Sequence, residues 1–125
     1  MYKIDYNQKD SIIRLVISGI FTFELIEKIS KELYENTKEK NILLLVDVRE
    51  AIYDFNPKDF SNLIALTNKY VKKDTIIHEA ILISTPKEVA ISTLFEKENQ
   101  KEFHKSKIFS TEEAAIGWLL KFKKQ

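Results

Sequence analysis

Apolar residues along this chain fall into three spacings, and each spacing predicts a kind of element. Tyr2 to Tyr6 alternates apolar and polar residues, and Ile12 to Ser18 is rich in β-branched residues, with Asn7-Gln8-Lys9-Asp10 between them as a turn. The two predict an antiparallel hairpin. Gly19 reads as the break that ends the second strand. Beyond Thr22, Leu25, Ile26, Ile29 and Leu33 recur at helical spacing up to about Asn36, and the Thr22 side chain suits the N-cap.

Ile42-Leu43-Leu44-Leu45-Val46 shows no alternation at all, which suits a central strand covered on both faces. Asn56-Pro57-Lys58-Asp59 supplies a cap, a first-turn proline and an early acid. Phe60, Leu63, Ile64, Thr67 and Val71 then predict a second helix ending near Lys72-Lys73. Ile76 to Ser84 is the next strand. Thr85-Pro86-Lys87-Glu88 opens a third helix through Val89, Ala90, Leu94 and Phe95, ending before Phe103 and leaving His104 near its end. Ser106 to Phe109 is a last short strand. Ser110 with Glu113 forms a capping box for a final helix, whose buried face is Ala114, Ala115, Trp118, Leu119 and Phe122. The order ββαβαβαβα predicts an α/β fold, a mixed, mostly parallel sheet of about five strands flanked by four helices.

Composition narrows the function. A chain of 125 residues, 44% hydrophobic and 31% charged, fits one globular domain over residues 1–125. A net charge of +1, with Arg14 and Arg49 as the only arginines, offers no basic field for nucleic acid. With no Cys there are no disulfides, thiolate nucleophiles or Cys-bound zinc, and a cytoplasmic setting is expected. No run is long and apolar enough for a stable membrane insertion. Two glycines, Gly19 and Gly117, cannot build a phosphate loop or a dinucleotide fingerprint, so no cofactor is expected.

Candidate chemistry is sparse. His78 and His104 lack a second histidine at ligand spacing, so no metal is expected. His78 and Glu79 are neighbours on a strand and point to opposite faces; His78 reads as a strand residue meeting solvent or an edge. A hydrolase using His78 would require a carboxylate within hydrogen-bond reach of the ring. Asp47-Val48-Arg49-Glu50 follows the central strand, at the end where open α/β sheets bind ligands, and Ser84 and Thr85 lie beside it. An anion could dock there, or Asp47 and Arg49 could pair with each other. Ala51-Ile52-Tyr53-Asp54-Phe55 is apolar for a surface connection, suiting a self-association face, a lipid pocket or core packing. The candidate ligand or partner site is Asp47, Arg49, Tyr53, Phe55, Ser84 and Thr85.

Several segments together resemble the SpoIIAA-like branch of the STAS superfamily, small domains also described as STAS/SEC14-like. They are Gly19-Ile20-Phe21-Thr22 before the first helix, Leu44-Leu45-Val46-Asp47, Ala80-Ile81-Leu82-Ile83-Ser84, and the closing Phe109-Ser110-Thr111-Glu112-Glu113-Ala114 with Trp118-Leu119. The resemblance implies a non-catalytic regulatory module, commonly a homodimer, that binds a protein partner; its SEC14-like side implies a lipid or other small apolar ligand. Related anti-sigma-factor antagonists are phosphorylated on a serine of an Asp-Ser-Ser-Gly turn. The matching turn here is Asp54-Phe55-Asn56-Pro57, which has neither serine, so the phosphorylation switch is not carried over.

Overall fold

The computed structural model describes residues 1–6, 9–54, 60–85, 89, 93, 97 and 100–123. Strands β1 (Tyr2–Asp5) and β2 (Ile12–Phe21) lead into helix α1 (Phe23–Glu35). Strand β3 (Asn41–Tyr53), helix α2 (Phe60–Asn68) and strand β4 (Ile76–Leu82) follow, then β5 (Gln100–Lys101), β6 (His104–Phe109) and the closing helix α3 (Glu112–Leu120). The order across the sheet is β1-β2-β3-β4-β6-β5. β2, β3, β4 and β6 run parallel, while β1 and β5 are antiparallel edge strands.

This is the expected α/β architecture with one added strand, the two-residue β5. Among the described residues there are three helices, and Val89, Thr93 and Lys97, within the expected third of four, are helical as well. The caps at Asn56 and around Pro86, and residues Leu94 and Phe95, lie outside the described residues.

The unbroken run Ile42 to Val46 is buried residue by residue, as a strand clothed on both faces must be. Alternation sorts its side chains. Leu44, Val46 and Val48 meet Ile26, Ile29 and Leu33 of α1 and Leu63 and Ile64 of α2 on one face. Leu43 and Leu45 meet Ala115 and Leu119 of α3 on the other. Burying one such side chain contributes about 1.5–3 kcal/mol, so this strand anchors both layers.

Several boundaries differ from the sequence reading. Gly19 does not end β2; it lies within the strand at φ +77°, and β2 runs on to Phe21. β3 likewise continues through Asp47-Arg49 and Ala51-Tyr53, because β2 offers unpaired backbone groups that the chain must satisfy. α2 stops at Asn68 rather than Lys72-Lys73. There the Thr67 hydroxyl and the Asn68 side-chain amide both donate to the Ile64 carbonyl, local bonds that compete with continuation of the helix. β4 stops at Leu82, although Ile83 N still donates to Phe109 O at 3.1 Å.

β6 begins at His104, two residues early, because His104 to Phe109 pair in parallel with Ile77 to Leu82. The final helix is capped by Thr111, not Ser110: its hydroxyl accepts from Ala114 N at 3.3 Å. That one-residue shift buries Ala115 and Leu119 fully, half-buries Trp118 and Phe122, and leaves Ala114 exposed. Thr22 caps α1 as expected, accepting from Leu25 N at 3.2 Å.

A Cβ at Gly19 would meet nothing within 4 Å, so only its left-handed backbone resists substitution. Gly19→Ala is expected to cost about 1 kcal/mol through strain, and Thr22→Ala about 1 kcal/mol through the lost cap. Urea unfolding monitored by circular dichroism measures both.

Candidate functional site at the carboxyl end of the parallel strands

The carboxyl end of the sheet is shaped by unequal strand lengths. β3 pairs with β4 only as far as Asp47↔Leu82, but with β2 it continues to Phe21↔Tyr53. Between Val16↔Asp47 and Ser18↔Glu50 the register shifts, since β3 takes one more residue than β2. Such a bulge bends and twists the strand. Beyond it, β2 and β3 leave the main sheet as a two-stranded ribbon, closed by Asp54 N donating to Phe21 O at 3.0 Å.

At the bulge Arg49 clasps Asp47. Its Nε donates to Asp47 Oδ1 at 2.9 Å, its Nη2 to Oδ2 at 2.7 Å, and its backbone N to Oδ1 at 3.1 Å. The guanidinium hydrogen bonds hold the Asp47 carboxyl below the usual carboxylate range, against an opposing effect of partial burial. In turn the carboxylate raises the Arg49 guanidinium. Each charge is committed to the other, so this pair is a brace rather than a base or a free anion receptor.

Ser84 Oγ donates to the Arg49 carbonyl at 3.3 Å, tying the end of β4 to the bulge. Thr85 follows, and its carbonyl accepts from Val89 N at 2.9 Å. The structure therefore gathers Asp47, Arg49, Ser84 and Thr85. Tyr53 is not with them: it turns to the α1 side, its ring 5.8 Å from that of Phe21. Phe55 lies outside the described residues.

Alternation along the ribbon then decides what faces outward. Phe21, Ala51 and Tyr53 pack on the α1 side, so Ile20 and its partner Ile52 project from the opposite face, with Val16 further back along β2. Ile20 is 61% exposed, Ile52 63% and Val16 44%. The apolar segment expected as a loop is thus a strand whose residues divide between core and surface.

A second polar group was hidden from the sequence reading. His104, placed there at a helix end, stands in β6 at 1% exposure. Its Nε2 lies 2.9 Å from Glu79 Oε1 and its Nδ1 lies 2.6 Å from Asn68 Oδ1. The Ser106 hydroxyl also donates to Glu79 Oε1, at 3.0 Å. Glu79 and His104 line a cavity of about 60 Å³ between the sheet, α1 and α2, which has room for a few waters. The buried Tyr34 hydroxyl in its wall has its pKa raised, first by burial and then by the Glu79 charge. The alternation of His104, Ser106 and Ile108 with Lys105 and Lys107 was the available signal.

His78 points the other way, as its adjacency to Glu79 required. It does not meet solvent at an edge: its ring stacks on Phe122 at 3.7 Å and 11°, with Trp118 edge-on at 5.9 Å. Burial, then the positive fields of His104 and Lys105, hold the imidazole below its ordinary range. Among the described residues its buried Nδ1 has no hydrogen-bond partner.

No protein-family model matches the chain, and none of the curated proteins is detectably similar to it in sequence. Among solved structures it is similar to a DUF3478-family protein with a SpoIIAA-like fold from Shewanella loihica PV-4. The TM-score is 0.62 and the identity 19%, over 95% of this chain and 92% of the other. This chain has a SpoIIAA-like fold.

That SpoIIAA-like fold confirms the resemblance at the level of architecture. Of the turn that carries the phosphorylated serine in related antagonists, only Asp54 lies within the described residues. Among the described residues no group of three His, Cys, Asp or Glu is placed to hold a metal, and no helix is long and apolar enough to cross a membrane.

Glu79→Ala is expected to cost about 3 kcal/mol, because it strands His104 and Ser106 in the interior, with Glu79→Gln losing less; denaturant unfolding reads both. A folded-state pKa below the ordinary imidazole value makes His78 a source of stability that is complete above about pH 6.5 and declines as the pH falls through its folded value. Melting curves at stepwise lower pH, kept above the range where Asp47 titrates, should show this decline. His78→Phe should flatten it.

Proposed function

We propose that this chain is a cytoplasmic, non-catalytic protein-interaction module that pairs with a second copy of itself through the bare face of β1, β2 and β3. The observation that carries this reading is the outward pair Ile20 and Ile52, which with Val16 makes an apolar strip that α3 does not cover. Around the strip stand Lys3 and Asp5 of β1, Arg14 held to Asp10 at 2.8 Å, Glu50, and the Asp47–Arg49 clasp. A rim of both signs suits an isologous contact, in which a patch must complement its own image across a two-fold axis.

A stable dimer buries about 800 Å² per partner, with an apolar centre inside a polar rim. Here the strip supplies the centre and the ion pairs the rim. A different regulatory protein would use the same face, and that outcome is separable by experiment. The committed Asp47–Arg49 pair likewise supports recognition over catalysis, since neither group is free to exchange a proton near neutral pH.

Sedimentation-velocity analysis is expected to show a concentration-dependent dimer for the natural chain. Ile52→Glu should weaken self-association by about tenfold or more, and should change unfolding stability by no more than about 0.5 kcal/mol, as for an exposed position. A chain that stays monomeric at every concentration, or an Ile52→Glu variant that dimerises unchanged, defeats the self-pairing. Capture of one defined protein, abolished by Ile52→Glu, would transfer the face to that partner.

A further inference from the structure

The half of the sheet that α3 does cover is not fully filled. Between α3, β6 and the helical residues Thr93 and Lys97 lies a groove of about 830 Å³, within the range of small-molecule sites. Its walls are chemically lopsided. Lys97, Lys105 and Lys107 line it and, among the described residues, no carboxylate does, although the chain as a whole is nearly neutral. Lys105 and Lys107 stand two residues apart on the same face of β6, so their like charges are neighbours. None of the three takes part in an ion pair among the described residues. Charge gathered in a concave site without compensation attracts an anion.

One side of the groove is aromatic. Trp118 and Phe122 of α3 lie 5.2 Å apart at 70°, and His78 completes the cluster by stacking on Phe122. His78 lines this wall, and among the described residues its buried Nδ1 has no hydrogen-bond partner. A buried nitrogen that has lost water without gaining a partner costs about 1–3 kcal/mol, and a ligand that displaces the side chains over it would recover that hydrogen bond.

We infer that the groove between β6 and α3 is a binding site for a small, flat, aromatic anion carrying a phosphate or carboxylate. Its ring packs against Trp118 and Phe122, its anionic group meets Lys105 and Lys107, and a polar ring atom or substituent bonds to His78. The site lies over β4 and β6, away from the Ile20–Ile52 strip, so it stands or falls apart from self-pairing.

Trp118 is the only tryptophan in the chain, which makes its fluorescence a direct report on the groove. Titration of the full chain with 4-nitrophenyl phosphate is expected to quench it saturably. The neutral 4-nitrobenzyl alcohol and inorganic phosphate should each bind about tenfold more weakly or worse, because each offers only half of the recognition. Lys105→Glu with Lys107→Glu, both on the surface of β6, should weaken binding by about tenfold or more while circular dichroism stays unchanged. His78→Phe, which keeps a ring on Phe122, should weaken it severalfold, and Ile52→Glu should leave it unaltered.

Absence of saturable quenching overturns the site, as does equal affinity in the folded double lysine variant. Equal binding of the neutral alcohol removes the anion from the proposal, and equal binding of inorganic phosphate removes the ring. Decanoate binding as tightly as the nitrophenyl ester would replace the flat ring with an acyl chain, overturning the proposal in its stated form.

Discussion

The structure depends on the double coverage of β3. A strand buried on both faces and paired on both edges must be apolar along its length, and Ile42 to Val46 is. One set of its side chains holds α1 and α2, the other holds α3, and its backbone holds β2 and β4. Its neighbours β2 and β4 also send side chains to both faces, and β3 lies between them. Where that double coverage ends, at Asp47, the strand acquires charge, a bulge and an outward face. The change from core to candidate site occurs within two residues because the β4 partner stops there.

Two polar devices show how differently burial treats charge. Asp47 and Arg49 pair at the surface, where an ion pair contributes about 1 kcal/mol or less and serves mainly to fix the geometry of the bulge. Glu79 and His104 pair in the interior, between β4 and β6, with Asn68 and Ser106 completing the shell. Losing one member there is costly because it leaves the others buried without their partner. The interior network thus ties α2 and the far half of the sheet together in a way that apolar packing, which tolerates sliding, does not.

The face opposite α1 and α2 is divided by α3 into unlike halves. Over β4 and β6 the helix lays down aromatic rings beside lysines, while toward the carboxyl ends of β2 and β3 it leaves Val16, Ile20 and Ile52 bare. The likeness to the Shewanella protein spans nearly the whole chain at only 19% identity. The backbone arrangement is therefore common ground.

The alternations and helical spacings were sufficient to place β1, α1, the core of β3 and the closing helix, because each is a local pattern set by which face a residue must bury. The Thr22 cap was equally legible, since a cap is decided within one helical turn. Asp47, Arg49, Ser84 and Thr85 could be grouped from strand order alone, because parallel strands bring their carboxyl ends to one edge. What the chain could not show locally was how far each strand continues. Ile52 reads the same in a loop or in a ribbon, and only the free edge of β2 made it a strand residue and turned it outward. His104 depended on its parallel partner Ile77, and the His104–Glu79 and His78–Phe122 contacts join residues 25 and 44 positions apart. Register between distant strands, and the seating of one helix on the sheet, are settled by packing of the whole domain, and only the tertiary structure decided them.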